Sequence, residues 1–165
     1  YLGVDGVKPF VEDCKKYNKG IFVLVKTSNK SSGELQDLKL EDGKTVYEKV
    51  AELVNSWGED LIGEYGYSSV ASVVGATYPV QMENLRKIMP HSYFLIPGYG
   101  AQGGKAEDIA LGFDNNGLGG IVNASRSLMC AYKSDLWKDK FAEEDYAKAT
   151  RAEAIRMRDE LNSAM

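Results

Sequence analysis

The segment Tyr-Phe-Leu-Ile-Pro-Gly-Tyr-Gly-Ala-Gln-Gly-Gly, residues 93–104, predicts a buried strand that runs into a glycine-rich loop. A short apolar run bounded by Pro and Gly is typical of such a strand. Pro97 ends the hydrogen-bond ladder because proline has no N–H to donate. The glycines permit positive φ angles and let backbone N–H groups approach a ligand closely. Because a helix start follows at Lys105, the segment favours a phosphate site, although alone it is equally compatible with a turn that binds nothing.

A second strand end, Gly-Gly-Ile-Val-Asn-Ala-Ser-Arg at residues 119–126, strengthens the phosphate interpretation. Arg126 offers a planar set of donors that suits a phosphate group. Barrels built of βα units commonly bind phosphate with the loops after their last two strands. The alternative for Arg126 is an ordinary surface ion pair. We consider phosphate binding the better explanation because two consecutive strand ends carry suitable groups, Gln102 in one and Arg126 in the other.

The composition is that of a globular domain with a core. The chain has 165 residues, of which 44% are hydrophobic and 27% charged, and this length suffices for one domain. The net charge of −4 argues against a protein that coats nucleic acid. No apolar run is long enough to cross a membrane, and no signal peptide is recognisable. Since the chain begins at Tyr1 without Met, we expect an interior piece of a longer protein.

Cysteine and histidine usage limits the chemistry that the chain can perform. Cys14 and Cys130 lie in apolar patterns without a CxxC motif or a histidine partner. They predict buried free thiols in a reducing compartment, which we take to be the cytoplasm. His91 is the single histidine, so a three-histidine zinc site is impossible. We therefore expect no metal.

Strand and helix patterns alternate along the chain. Strands are predicted at 21–25, 70–76, 93–96 and 119–123, and helices at 4–17, 45–57, 77–89, 105–112, 126–132 and 141–162. Thr45 and Glu48 predict a capping box, and Thr77 is expected to cap the helix that it begins. The last helix is expected to have a sparse apolar side made of Ala147, Ala154, Ile155 and Leu161. This alternation predicts a parallel sheet covered by helices. Four strands are half of an eight-stranded barrel, so we predict that residues 1–165 form part of one βα-barrel domain. A small doubly wound sheet is the alternative; polar residues at every strand's carboxyl end suit the barrel, although open sheets have them too.

These strand ends carry a joint pattern: Phe22-Val-Leu-Val-Lys-Thr-Ser-Asn29, Val73-Val-Gly-Ala-Thr77, Leu95-Ile-Pro-Gly-Tyr-Gly-Ala-Gln-Gly-Gly104 and Asn123-Ala-Ser-Arg126. In this order the segments resemble the orotidine 5′-phosphate decarboxylase family, most closely the branch called type 2. The resemblance covers essentially the whole chain. The joint occurrence of Val-Lys-Thr-Ser-Asn and Pro-Gly-Tyr-Gly-Ala-Gln-Gly-Gly is highly specific, whereas each motif alone would be weak.

The resemblance implies a TIM (β/α)8 barrel of which this chain supplies about the last four strands. It implies a carboxy-lyase that works without metal or organic cofactor and converts orotidine 5′-phosphate to UMP and CO2 in pyrimidine biosynthesis. By the same resemblance, this chain carries the residues that hold the substrate: Ser28 for the pyrimidine ring, Gln102, Ser125 and Arg126 for the phosphate, and Gly100, Gly103 and Gly104 in the loop that supports the phosphate.

The resemblance also implies that the catalytic residues lie elsewhere. The family's Lys and Asp groups belong to the second and third strands, which would precede Tyr1, so we expect no catalytic residue in this chain. The segment Asp37-Leu-Lys-Leu-Glu-Asp42 has the family's Asp-x-Lys-x-x-Asp spacing. It lies in a polar loop and does not follow an apolar strand, so we interpret the match as accidental.

A half-barrel would have apolar open edges, and we therefore expect a partner. The partner would be the N-terminal half of the same barrel or a second copy, and the family is usually homodimeric. Two other functions remain open. The chain could be a catalytically incomplete half-barrel that binds a phosphorylated ligand or docks with a partner chain. It could also belong to another phosphate-binding barrel, such as a sugar-phosphate decarboxylase or an isomerase.

Overall fold

The computed structural model describes residues 3–100 and 103–165. Over these residues strands and helices alternate, as the sequence predicts. The strands are β1 (Ile21–Lys26), β2 (Ser68–Val74), β3 (Ser92–Pro97) and β4 (Gly120–Asn123). The helices are α1 (Val4–Tyr17), α2 (Gly33–Gln36), α3 (Val46–Trp57), α4 (Pro79–Ile88), α5 (Ala106–Ala110), α6 (Arg126–Met129) and α7 (Tyr146–Ala164).

The strands form one parallel sheet in the order β1-β2-β3-β4. Each strand therefore lies beside the next one in the chain, without the reversal of order that defines a doubly wound sheet. The doubly wound alternative is thus excluded for the described part of the chain. Because all strands point the same way, their carboxyl ends meet at one edge of the sheet, where the polar segments lie.

One face of the sheet carries the hydrophobic core. Phe94 and Ile96 of β3 are fully buried on this face, together with Val54 of α3 and Met82 and Leu85 of α4. Phe94 and Ile96 are two residues apart and so point to the same side of the strand. The helices that follow β1 and β2 along the chain cover this side.

The opposite face of the sheet is open in the described chain. Phe22 and Leu24 of β1 are 48% and 54% exposed, and Ile121 of β4 is 51% exposed. Leu24 pairs with Val73, Val73 with Leu95 and Leu95 with Ile121, so these side chains form one row across the sheet. A continuous exposed apolar row of this kind marks an interaction surface.

The helix boundaries follow local signals, with one correction. Thr45 forms the predicted capping box with Glu48. Thr77 was predicted to cap α4, but Tyr78 occupies the N-cap position and Pro79 is the first helical residue. The Thr77 hydroxyl instead donates to the Ser28 carbonyl oxygen at 3.1 Å. A long-range partner thus displaces the local capping bond.

The last helix also differs from the prediction. It begins at Tyr146, five residues after the predicted start, because residues 143–145 form a separate 3₁₀ turn. Its buried residues are Ala149, Glu153 and Met157, whereas the predicted apolar side contained Ala154 and Ile155. The four-residue spacing of the buried positions is typical of one helix face. Composition alone did not identify that face, because it includes a glutamate.

The two cysteines differ in burial. Cys14 is buried in α1, and burial raises the pKa of its thiol. Cys130 is exposed, so the prediction of two buried thiols was wrong for this residue. It follows the end of the short helix α6, where an apolar neighbour in sequence does not ensure burial. None of the helices in residues 3–100 and 103–165 is long and apolar enough to span a membrane.

Candidate functional site

A cavity of about 190 Å³ lies between the carboxyl ends of β3 and β4. Its walls are the two segments in which the sequence predicts phosphate binding: Pro97, Gly98 and Tyr99 on one side, and Asn123, Ala124, Ser125 and Arg126 on the other. The two segments meet because β3 and β4 are parallel neighbours that end in register, with Pro97 opposite Asn123.

Arg126 stands at the mouth of this cavity as an exposed residue at the start of α6. Within residues 3–100 and 103–165, no carboxylate forms an ion pair with its guanidinium. The alternative of an ordinary surface ion pair therefore has no partner in the described chain. Ser125 is the N-cap residue. The N–H groups of Arg126 and Ser127 therefore have no acceptor within the helix, whereas those of Leu128 and Met129 donate to the Ser125 carbonyl oxygen. The geometry suits an anion.

The glycine loop takes the backbone conformations that its sequence predicts. Gly98, Gly100 and Gly103 have φ angles of 105°, 73° and 92°. Residues other than glycine rarely adopt such positive φ angles. The N–H of Gly100 donates to the Gly104 carbonyl, that of Gly103 to Gly100, and that of Gly104 to Gly98. These N–H groups were expected to face a ligand, but they bond within the loop. The glycines thus define the shape of the cavity wall. Gln102 lies outside the described residues.

The expected contribution of helix dipoles is also smaller than the sequence suggested. α5 has five residues and α6 has four, and the dipole effect grows from the alignment of many peptide units. Charge and side-chain donors are therefore the main features that would attract an anion at this edge.

The segment after β2 connects the glycine loop with Ser28. A Cβ atom on Gly104 would lie 2.7 Å from the Ala76 Cβ, and one on Gly75 would lie 2.7 Å from the Ser28 nitrogen. The absence of a side chain at Gly104 and Gly75 thus lets the glycine loop pack against Ala76 and the segment after β2 pack against Ser28. Together with the Thr77 bond to the Ser28 carbonyl, these contacts place Ser28 at the same edge of the sheet as the cavity.

The turn that contains Ser28 is held by a second set of hydrogen bonds. The Gln36 side chain accepts from the Thr27 N–H at 3.0 Å and donates to the Thr27 hydroxyl at 2.9 Å. The Thr27 hydroxyl donates to the Asn29 side chain at 2.7 Å. The turn therefore has a defined shape before any ligand binds.

Lys26 precedes this turn and is fully buried. Its ammonium group lies 2.6 Å from Asp37 and faces the rings of Tyr78 and Tyr47, at 4.6 and 5.4 Å from their centroids. The pairing of β1 with β2 shifts register between Leu24 and Lys26. At this irregularity, successive side chains of β1 no longer alternate regularly between the two faces of the sheet. No sequence pattern predicted this buried pair, apart from a lysine at the end of an apolar run.

Asp37 belongs to the segment with the Asp-x-Lys-x-x-Asp spacing. Its partner is Lys26, whereas Lys39 is exposed and the Asp42 carboxylate accepts from the Lys44 N–H. The members of the motif thus have separate partners. Within the described ranges, no group of three or more His, Cys, Asp or Glu could hold a metal ion. His91 lies at the amino end of β3, 2.9 Å from the Gly66 carbonyl oxygen.

Comparisons with known proteins identify the family of this chain. Residues 1–134 match the sequence profile described as the orotidine 5′-phosphate decarboxylase / HUMPS family. An orotidine 5′-phosphate decarboxylase of Caldicellulosiruptor bescii is 48% identical over 165 residues, which are 100% of this chain and 52% of that protein.

Solved structures give the same result for the fold. The UMP synthase of Leishmania donovani superposes with a TM-score of 0.72 at 34% identity, over 99% of this chain and 31% of that one. A putative orotidine 5′-phosphate decarboxylase of Streptomyces avermitilis superposes with a TM-score of 0.72 at 28% identity, over 99% of this chain and 52% of that one.

The chain therefore spans about half the length of the curated relative. Its sheet of sequential parallel strands is half of a TIM barrel, and the open sheet face corresponds to the inside of that barrel. The profile covers more than three quarters of the chain and includes the strand ends that form the cavity. The chain belongs to the orotidine 5′-phosphate decarboxylase / HUMPS family.

Proposed function

We propose that this chain is the substrate-binding half of an orotidine 5′-phosphate decarboxylase barrel. The observation that carries the proposal is the cavity between β3 and β4, where Arg126 has no ion-pair partner in the described chain. A guanidinium without a carboxylate, beside a preformed concave surface, is suited to an external anion such as a phosphate ester. The family membership specifies which phosphate ester is to be tested first.

The proposed roles divide between the two ends of the substrate. Ser28 binds the pyrimidine ring, and Gln102, Ser125 and Arg126 bind the 5′-phosphate, with Gly100, Gly103 and Gly104 shaping the loop. The pyrimidine end and the phosphate end are held by different strands, β1 at one side and β3 and β4 at the other. Binding energy from the phosphate, which does not react, would thus help to position the ring.

The bond-breaking step needs groups that we propose to lie in the other half of the barrel. When the carboxylate leaves as CO2, its bonding electron pair stays on the pyrimidine carbon. A cationic lysine must stabilise that carbanion and then give it a proton, which yields UMP. Asp groups beside the departing carboxylate complete the proposed constellation. No metal or organic cofactor enters this scheme.

The same proposal assigns an occupant to the open sheet face. The N-terminal half of the barrel would cover Phe22, Leu24 and Ile121, whose apolar side chains are about half exposed. Closing the barrel would also pair the outer edges of β1 and β4. We further propose that the complete barrel is a cytoplasmic homodimer.

The test is a hybrid barrel in which this chain replaces the matching 52% of the C. bescii decarboxylase. We expect the hybrid to release CO2 from orotidine 5′-phosphate and this chain alone to release none. A hybrid that folds but binds neither orotidine 5′-phosphate nor UMP would contradict the proposal. Binding of pentose phosphates in place of UMP would support a sugar-phosphate enzyme.

The role of Arg126 is tested by Arg126→Ala in the hybrid. We expect kcat/KM for orotidine 5′-phosphate to fall by roughly two orders of magnitude, since a charge-assisted phosphate contact is lost. Turnover of a substrate without the phosphate should be nearly unchanged. Arg151→Ala is the matched control, because Arg151 is an exposed arginine of α7. Equal losses on both substrates would contradict phosphate binding by Arg126.

A further inference from the structure

Tyr99 ties the glycine loop to the last helix. Its side chain is only 4% exposed, although it lies in a loop, and its hydroxyl donates to Glu160 of α7 at 2.5 Å. Tyr99 also belongs to the wall of the cavity between β3 and β4. A residue of the proposed phosphate site is therefore anchored to a helix that lies beyond residue 134, where the family profile ends.

Glu160 is itself held in place by a chain of charged and polar contacts. Arg156 donates to Glu160 at 2.8 Å and makes two further bonds, of 2.8 and 2.9 Å, to the buried Glu153. The Trp137 indole N–H donates to Glu153 at 2.8 Å. The guanidinium group of Arg156 thus bonds to two carboxylates of α7, those of Glu153 and Glu160. A network in which each member has a partner fixes the position of its end group.

The network contains two carboxylates, those of Glu153 and Glu160, and one guanidinium, that of Arg156. The hydrogen bonds from Arg156 lower the pKa of Glu153. Burial raises the pKa of Tyr99 above its ordinary value. The Tyr99 hydroxyl thus stays protonated and donates to Glu160.

α7 also contacts both walls of the cavity in other ways. A Cβ on Gly100 would lie 3.2 Å from the Met157 methyl group, so the loop rests directly on the helix. On the other wall, the Thr150 hydroxyl donates to the Leu128 carbonyl oxygen at 2.8 Å. Leu128 belongs to α6, the helix that Arg126 begins. One face of α7, through Thr150, Met157 and Glu160, thus supports both segments.

We propose that Tyr99 is a positioning residue, which holds the glycine loop on α7 so that the loop and Arg126 fit the two sides of one phosphate group. This inference rests on the proposed function. It adds that the affinity for phosphate depends on a helix outside the family profile. Tyr99 acts through the loop and needs no contact with the substrate.

A tyrosine–carboxylate bond at the opposite end of the sheet provides a matched control. The Tyr67 hydroxyl donates to Asp114 at 2.5 Å, the same length as the Tyr99 bond to Glu160. Tyr67 immediately precedes β2, and Asp114 lies before β4, so this pair is at the amino end. Removal of either hydroxyl takes away the same type of bond, but only Tyr99 touches the cavity.

The experiment compares Tyr99→Phe and Tyr67→Phe in the hybrid barrel, with the inhibition constants of UMP and uridine as readouts. We expect Tyr99→Phe to raise the inhibition constant of UMP about three- to tenfold, the range that the loss of one hydrogen bond accounts for. The inhibition constant of uridine should not change. The KM for orotidine 5′-phosphate should rise with a smaller change in kcat. Tyr67→Phe should lower the melting temperature, but the variant should still bind UMP more tightly than uridine, as the unsubstituted hybrid does.

Glu160→Gln and Glu160→Ala complete the design. Glutamine still offers Tyr99 an acceptor, so it should retain most of the preference for UMP, whereas alanine should reproduce the loss seen with Tyr99→Phe. A wild-type hybrid without any preference for UMP over uridine would contradict the proposed function and this inference with it. A wild type that has the preference, together with a Tyr99→Phe variant that keeps it in full, would contradict the positioning role alone.

Discussion

Arg86 and Arg126 lie at opposite ends of the same sheet and have opposite surroundings. Arg86 of α4 reaches the amino end, where its guanidinium donates to the carbonyl oxygens of Met89, Ser92, Gly112 and Gly119. It also lies 3.6 Å from the centroid of the Phe94 ring. Arg126 is exposed at the carboxyl end.

The difference shows how one residue type serves structure in one place and recognition in another. Arg86 joins the end of α4, the start of β3 and the segment between α5 and β4 through their backbone carbonyl oxygens. Burial lowers the pKa of Arg86 to about 10, so it is still charged at neutral pH. Its donors are used by the protein, whereas those of Arg126 are left for a ligand.

The largest expected effect is on stability and comes from Arg86→Leu. This change removes the five hydrogen bonds that the Arg86 guanidinium donates to backbone carbonyl oxygens, and we expect the free energy of unfolding to fall by about 3–5 kcal/mol. Urea unfolding of the hybrid barrel measures this. Arg126→Ala should change the unfolding free energy by less than about 0.5 kcal/mol. A larger loss of unfolding free energy for Arg126→Ala than for Arg86→Leu would contradict the assignment of a structural role to Arg86 and a binding role to Arg126.

Substitutions at two closely packed glycines, one at each end of the sheet, test the same difference between a structural end and a binding end. Gly75→Ala places a methyl group 2.7 Å from the Ser28 nitrogen, and Gly58→Ala places one 2.2 Å from the Ser68 hydroxyl at the amino end. Each should destabilise the protein by about 1–3 kcal/mol through overpacking. Only Gly75→Ala should also weaken UMP binding, because it displaces Ser28. Isothermal titration with UMP separates the two; equal affinities would contradict the placement of Ser28 in the site.

The smallest effect concerns Lys26, a buried cation at the carboxyl end that resembles Arg86 more than Arg126. Asp37→Ala removes its carboxylate partner and should cost about 1–2 kcal/mol, less than a fully buried pair because the Asp37 side chain is 43% exposed. Lys26→Met retains packing against Tyr78 and Tyr47 and should cost less than Asp37→Ala. Thermal unfolding measures both. A larger loss for Lys26→Met would mean that the contacts with the rings outweigh the ion pair.

Most of the fold could be predicted because its signals are local. The apolar runs at residues 21–25 and 93–96, the capping box of Thr45 and the glycine pattern after β3 each depend on neighbours within a few residues. Such patterns reflect the periodicity of strands and helices and the conformational preferences of glycine and proline. The alternation of elements therefore specified a parallel βα architecture, and the strand ends specified where the polar residues would gather.

The errors concern hydrogen bonds whose acceptors the sequence pattern did not reveal, whether those acceptors are distant or nearby in the chain. Thr77 was predicted to cap α4 but bonds to Ser28, which is 49 residues away. Glu153 was not expected on the inner face of α7, where Arg156 and Trp137 compensate its charge. The N–H groups of the glycine loop were expected to be free but have acceptors inside the loop. The bonds of Thr77 to Ser28 and of Trp137 to Glu153 become available only after the chain has folded.

The amino-acid pattern was sufficient for the element order and the two segments that form the cavity, and together with the family resemblance it was sufficient for the half-barrel. Tertiary structure alone determined that these segments share one cavity, that Lys26 is buried against Asp37, and that Tyr99 reaches Glu160 across 61 residues. The reason is physical. Propensity and hydrophobic periodicity act over a few residues, whereas the choice of a buried polar partner depends on how α7 and the loops cross the sheet.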